Sequence, residues 1–309
     1  MAKIVFICGA LRSGTTLMYL MLNAHPGMKN PGEFDCWFDG IGTIGTEPDM
    51  RVARSFLERS RMFRSTRLAI NPDCGSYREL LGDMVGQLDD GGVLCLNVHR
   101  NFDLVQHYFP DAKFVHVLRD PRDVARSSIS MGWAGVTYYG VDHWMEAERS
   151  WDRLVKSARP ASCFEVKYED LIADLPGRLT SLCQFIGVDY DSAMAEYHVG
   201  STYSPPDISL TYQWRRVQDT REIELVEAKA KDLIVGRGYG LVSDDPRPPK
   251  FVETVHLWLA NRAYRYWFFI KRYGLLSWLL HKLMGLFPWL PGARLFRQRM
   301  TRITEDHLK

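Results

Sequence analysis

The sequence predicts a three-layer α/β fold: a central parallel sheet with helices on both faces, extended at the C-terminus by a further helical segment. Three features predict it. Short apolar, mostly β-favouring runs recur at residues 3–8, 93–97, 113–118 and 163–167, with the length and composition of strands buried on both faces. Helical patterns stand between them, and strands alternating with helices make a parallel sheet. Beyond Pro246, Pro248 and Pro249 the composition turns basic and aromatic. That boundary divides the chain into a domain at 1–245 and an extension at 250–309.

Taken in order, the strand at 3–8 leads to a helix at about 15–24. Gly, Pro and aromatic residues crowd 26–48, a long connection of the kind that carries function. Helices are predicted at about 49–62 and 76–88, then the strand at 93–97 and a short helix at 101–108. The strand at 113–118 is followed by helices at 121–130 and 143–157. After the strand at 163–167 come helices at about 168–174, 176–186 and 220–235. In the extension, residues 275–284 suit an amphipathic helix. No internal repeat is present. In such a sheet, ligands lie beyond the carboxyl ends of the strands.

Two of those strand ends carry phosphate-binding features. The first strand runs into Gly9-Ala10-Leu11-Arg12-Ser13-Gly14-Thr15-Thr16. This is the Gly-x4-Gly form of a P-loop, with a helix N-terminus whose N–H groups can hold phosphate. The residue after the second glycine is Thr15 rather than Lys, and the cation, Arg12, precedes that glycine. A magnesium-bound triphosphate is therefore a poorer match than another nucleotide. The strand at 113–118 ends in Arg119-Asp120-Pro121, with Ser127 and Ser128 about two turns into the next helix. An Arg at a strand end and such hydroxyls can converge on one anion.

These segments resemble the phosphate-binding motifs of sulfotransferases that use 3′-phosphoadenosine 5′-phosphosulfate (PAPS), and are similar in motif to the protein-tyrosine, Golgi and bacterial branch. Residues 12–17 resemble the 5′-phosphosulfate loop; Arg119 and Ser127, eight apart, match the 3′-phosphate pair. The segment Tyr168-Glu169-Asp170-Leu171 agrees, and the resemblance places Tyr168 near the adenine. It spans residues 3 to 240 in consistent order. It implies a P-loop NTPase-like sulfotransferase fold, PAPS as co-substrate and no metal. Arg12, Ser13, Gly14, Thr15, Thr16, Arg119, Ser127 and Tyr168 would form the donor site.

Sulfuryl transfer needs donors on the leaving oxygens and a base for the acceptor hydroxyl. Arg12, the N–H groups of residues 13–16 and the hydroxyls of Thr15 and Thr16 suit the first need, although either threonine could simply cap its helix. For the base, Glu33 in Pro31-Gly32-Glu33-Phe34 resembles the catalytic Glu of the protein-tyrosine branch. His99, at the end of the second strand, is the rival, since imidazole needs little tuning. Relatives often carry a Lys where this chain has Asn97, with Arg100 the nearest cation. Residues 212–216 resemble the Trp-containing loop beside the 3′-phosphate only weakly.

For the acceptor, Cys36-Trp37-Phe38-Asp39-Gly40 and the segment 131–140 are aromatic and glycine-containing. They favour an apolar or amphipathic small molecule, a lipid or a glycolipid. Arg59, Arg61, Arg64 and Arg67 would meet an anionic acceptor or form a solvated face.

The chain of 309 residues, 46% hydrophobic, can bury a large core, and its net charge of +2 demands no nucleic acid. Six cysteines without metal or redox spacing point to a reducing compartment, read as cytoplasmic. No transmembrane helix is predicted. From 250 to 309, eleven Lys/Arg stand against three Asp/Glu, a net of +8 that leaves −6 for the rest. Basic and aromatic residues together suit a peripheral membrane contact or packing on the core, and a homodimer is left open. Two readings compete with the sulfotransferase. One is a P-loop kinase of a nucleotide or small molecule. The other is a non-catalytic nucleotide-binding protein that docks on membrane.

Overall fold

The computed structural model describes residues 3–199 and 204–286. β1 (Lys3–Cys8) buries its last four residues, and α1 (Thr15–Ala24) follows the glycine-bounded loop. β2 (Met28–Lys29) comes next. α2 (Met50–Arg59) and α3 (Arg61–Thr66) stand where one helix was expected. Ser60 separates them: its backbone is extended, and its hydroxyl caps α3 by accepting the Phe63 N–H at 3.3 Å. α4 (Tyr77–Leu88) begins at a capping box, in which Ser76 and Glu79 satisfy each other's backbone N–H. β3 (Val93–Val98), α5 (Phe102–Tyr108), β4 (Lys113–Leu118) and α6 (Pro121–Ser130) follow. α6 has Pro121 at its first position and Asp120 as its cap.

α7 (Thr137–Gly140), α8 (Asp142–Ser157), β5 (Cys163–Lys167), α9 (Tyr168–Ala173) and α10 (Leu175–Ile186) complete the alternation. Gly187, at φ 88°, closes α10. α11 (Trp214–Val217) and α12 (Thr220–Gly236) come before the prolines. α13 (Phe251–Tyr273) and α14 (Leu275–Leu286) form the described part of the extension. Phe287 and Trp289, with the rest of 287–309, lie outside the described residues. The short elements β2, α7 and α11 have too few residues to show a period, so the sequence does not announce them.

The five strands are all parallel, in the order β2-β3-β1-β4-β5. β1 is central: Cys8 pairs with Val98 on one side and His116 on the other. The chain adds β2 and β3 on one side of β1, then crosses to add β4 and β5. The carboxyl end of β1 is thus the topological switch point. Successive side chains alternate between two cores. Phe6, Leu94, Leu96 and Phe114 face one core, which includes Leu80 of α4, Val105 of α5, Trp144 of α8 and Val226 of α12. Val5, Ile7, Cys95, Val115 and Val117 face the other, made with Met18 of α1 and Leu179 and Leu182 of α10. The sheet is therefore covered on both faces, as expected.

The 26–48 connection is more ordered than its composition suggests. A 3₁₀ turn at Asp35–Trp37 buries Phe34, Trp37 and Phe38 almost completely. Trp37 and Phe38, expected beside the acceptor, are packed in the core. All six cysteines are unpaired. Among the described residues, no helix is long and apolar enough to cross a membrane.

α13 is held at both its start and its middle. Arg221 forks onto Glu253 at 2.6 and 2.8 Å. Asn261 Oδ1 accepts the Gly135 N–H at 2.6 Å. A Cβ on Gly135 would lie 2.7 Å from the Asn261 carbonyl oxygen, so glycine alone lets the 131–136 loop reach the helix.

Candidate active site

Loops leave β1, β3 and β4 at the same edge of the sheet, which gathers residues 9–14, 99–101 and 119–120. In the first loop Arg12 takes φ 74° and Gly14 φ 101°. At Gly14 both conformation and space require glycine, because a Cβ would lie 2.6 Å from Cδ2 of Tyr168. Arg12 in a left-handed conformation costs about 1–2 kcal/mol, and such strain gathers at functional sites. Gly14 is the N-cap of α1; no side chain caps the helix and no acid stands in its first turn. The first-turn N–H groups are therefore open to an anion.

The two phosphate segments meet here. Arg12 Nε donates to Ser127 Oγ at 2.9 Å. Arg119 Nη1 donates to the Arg12 carbonyl oxygen at 3.2 Å, and Nη2 to that of Leu210 at 2.7 Å. The Arg119 guanidinium lies 4.3 Å from the Tyr168 ring centroid. Among the described residues, no carboxylate pairs with Arg12 or Arg119. Burial, and then the charge of Arg119, lower the pKa of Arg12. Ser13 Oγ and Arg119 Nε are buried without a hydrogen-bond partner. Two unneutralised cations, an uncapped helix and two unsatisfied donors are an arrangement that an oxyanion completes. Thr16 is exposed at the second position of α1.

The second half of the site faces β3. Thr15 does not cap its helix; its hydroxyl lies 3.2 Å from His99 Nε2. His99 is held from behind by Asp35, which accepts from the backbone N–H at 2.8 Å and pairs with Nδ1 at 2.7 Å. Glu33 Oε1 lies 4.0 Å from His99 Nε2. The Glu33 side chain is 48% exposed and that of His99 only 2%, so Glu33 is the more accessible of the two. Burial pulls the His99 pKa down, but the charge and hydrogen bond of Asp35, with Glu33 beyond, outweigh it and raise the pKa. Burial pushes the Asp35 carboxyl up, and His99 and Arg100 more than reverse that. Glu33, Asp35 and His99 offer atoms within 4.8 Å of one another, a spacing that could hold a cation.

Asn97 knits these parts together: it donates to the Thr15 carbonyl oxygen at 3.2 Å and accepts from Asn30 at 2.8 Å. Its own backbone holds the Glu33 segment in a parallel bridge: the Asn97 N–H donates to the Gly32 carbonyl oxygen at 3.0 Å, and the Asn97 carbonyl oxygen accepts the Phe34 N–H at 2.8 Å. Arg100 cannot stand in for a lysine here. The Nε–Nη2 edge of its guanidinium is forked by Asp39, at 2.8 and 2.5 Å, and Nη1 lies 3.8 Å from Asp35. Arg59, Arg61, Arg64 and Arg67 are exposed, as a solvated face.

Some of the site is absent from the sequence reading. Asp35 is one residue; its position two after Glu33 was the available signal. His143 is another: its Nε2 lies 3.0 Å from the Leu11 carbonyl oxygen, and burial lowers its pKa. A third group supports Arg119. Arg122 is forked by Asp120 at 2.9 and 2.7 Å and reaches Glu227 at 2.6 Å. Trp214 donates from Nε1 to Asp120 and from its backbone to Asp123. The Trp-containing loop therefore does stand beside Arg119, joined to it through Leu210.

A sulfotransferase family model matches residues 5–192. The chain belongs to the sulfotransferase family. It is 24% identical over 203 residues to a protein-tyrosine sulfotransferase A of Caenorhabditis elegans, covering 62% of this chain and 52% of that protein. It is 28% identical over 142 residues to the omega-hydroxy-beta-dihydromenaquinone-9 sulfotransferase of Mycobacterium tuberculosis, covering 40% of this chain and 37% of that protein. The chain thus spans about half the length, or less, of these curated relatives. In fold it is similar to the sulfotransferase domain of the curacin biosynthetic pathway, with TM-score 0.57, 16% identity and coverage of 78% and 99%. The sulfotransferase domain of a Synechococcus olefin synthase gives TM-score 0.54, 20% identity and coverage of 74% and 96%.

Proposed function

We propose that residues 1–245 transfer a sulfuryl group from PAPS to a hydroxyl acceptor, with Glu33 as general base. The observation that carries this reading is the unneutralised pair Arg12 and Arg119 at the uncapped start of α1, with Ser13 Oγ and Arg119 Nε still lacking partners. PAPS supplies an activated sulfuryl group whose leaving group is adenosine 3′,5′-bisphosphate. Arg12, the first-turn N–H groups and the Thr16 hydroxyl bind the phosphosulfate oxygens and stabilise the charge that builds on the leaving oxygen. Arg119 and Ser127 grip the 3′-phosphate, and Tyr168 borders the adenine. Glu33 takes the acceptor's proton as the new O–S bond forms and the bond to the 5′-phosphate breaks. His99, held by Asp35 at 2.7 Å and 4.0 Å from Glu33, orients the Glu33 carboxylate. Thr15 links this pair to the donor loop.

The acceptor is read as an apolar or amphipathic alcohol, reached past the 131–140 segment, with a peripheral membrane contact through 250–309. One relative acts on a hydroxylated dihydromenaquinone, by its name, which supports a lipid-like acceptor. With PAPS and a panel of long-chain and ring-bearing alcohols, adenosine 3′,5′-bisphosphate should appear only when an acceptor is present. Chelation by EDTA should leave the rate unchanged, since Arg12 and Arg119 supply the charge. Turnover that collapses under EDTA would assign Glu33, Asp35 and His99 to a cation instead.

A further inference from the structure

The helices after the proline boundary present a surface that the other described residues leave exposed. In α14, Leu275, Leu276, Leu279 and Leu283 are 55%, 71%, 49% and 45% exposed. Their spacing puts them on one stripe of the helix. Trp278, on another side of the same helix, packs against Tyr266 of α13 with ring centroids 5.5 Å apart. The helix is therefore seated by one face, and the leucine stripe is what remains outside. Single exposed leucines are ordinary, but four in one stripe mark an interaction site.

The neighbouring α13 carries cation–indole pairs on two of its sides. Arg262 stands 4.9 Å from the Trp258 ring and Lys271 5.0 Å from the Trp267 ring. Both tryptophans are about half exposed. Indole paired with a cation at the edge of an apolar face is the pattern of helices lying in a bilayer interface. From 250 to 284 the chain carries six Lys/Arg against one Glu.

The charge selects the occupant. A second copy would bring an identical cationic face against this one, and like charges across a two-fold interface oppose association. An anionic bilayer complements both the charge and the apolar stripe.

The opposite side of α13 packs on the 131–136 loop. Asn261 holds Gly135, and a Cβ on Gly132 would collide with the Phe268 ring. That loop follows directly from α6, which carries Ser127. We infer that the leucine stripe of α14 and the Trp–cation pairs of α13 dock this protein on anionic lipid surfaces. The inference extends the acceptor reading above, but its test needs no turnover.

The full chain is sedimented with vesicles of phosphatidylcholine alone or with phosphatidylglycerol added. Binding should require phosphatidylglycerol and weaken as salt rises. Leu276→Glu with Leu279→Glu should weaken it about a hundredfold, at about tenfold per leucine. Lys271→Gln should cost about fivefold. The melting shift with adenosine 3′,5′-bisphosphate should persist in every variant, which confirms folding and keeps a failure of docking distinct from a failure of the donor site. Should the double variant not fold, Lys271→Gln and the salt series decide. Absence of binding to the anionic vesicles overturns the inference. So does a dimer in light scattering that the double variant dissociates, because the stripe would then belong to a second copy.

Discussion

Replacing Glu33 by Gln is expected to lower turnover by about 10²–10⁴-fold while leaving donor affinity unchanged. Gln keeps the size of the side chain and the backbone bridge to Asn97, and removes only the capacity to take a proton. Donor affinity is preserved because the donor oxygens fall to Arg12, Arg119 and the α1 N-terminus. His99→Asn tests the rival on the same footing. His99 has Asp35 on Nδ1 and Thr15 on Nε2, and its raised pKa favours the doubly protonated form. A base must be deprotonated, so this environment suits a supporting cation better. Its sign is definite: the folded-state pKa is raised, so the charge is present below the ordinary value near 6.5 and lost as pH rises through the raised one. The alkaline limb of the rate profile should therefore disappear in His99→Asn, with residual turnover. Abolished turnover in His99→Asn together with near-native turnover in Glu33→Gln would transfer the base to His99.

Arg122→Ala should destabilise the fold by about 3–5 kcal/mol, read as a lower urea midpoint with unchanged slope. The Arg122 side chain is 2% exposed, and those of its partners Asp120 and Glu227 are fully buried. Deleting the guanidinium strands two buried carboxylates, which is the costly way to break such a pair. It also removes the cation 3.8 Å from the Trp214 ring centroid. Asp120 caps α6 and adjoins Arg119, so the variant should also bind adenosine 3′,5′-bisphosphate more weakly at temperatures where it remains folded. A cost below about 1 kcal/mol would mean that the two carboxylates are neutral or solvated in the native state.

Much of this arrangement was legible because chain-local chemistry dictates it. The apolar runs, the glycines at 9 and 14, Pro121 at a helix start and the Arg119–Ser127 spacing all act within a few residues of themselves. What was not legible depends on contacts between distant segments. Asp35 becomes a partner of His99 only when β3 pairs beside the Gly32–Phe34 stretch, 64 residues away in sequence. Arg122 gains Glu227 as a partner only when α12, 105 residues on, packs beside α6. Trp37 and Phe38 looked like pocket residues because exposed aromatic loops and buried ones have the same composition; a 3₁₀ turn, invisible to periodicity, tucks them into the core. Arg100 looked free because Asp39 is 61 residues distant.

A donor site where the α1 N-terminus, Arg12 and Arg119 meet should bind adenosine 3′,5′-bisphosphate, which a thermal-shift titration reads directly. At a hundred times its dissociation constant a ligand stabilises by about 2.7 kcal/mol, a shift of several degrees. That shift is expected without magnesium, with little response to ADP or to magnesium ATP. Gly14→Ala, which forces a Cβ into the Tyr168 ring, should abolish the response. A shift with magnesium ATP and none with the bisphosphate would contradict the assignment of Arg119 and Ser127 and favour a kinase.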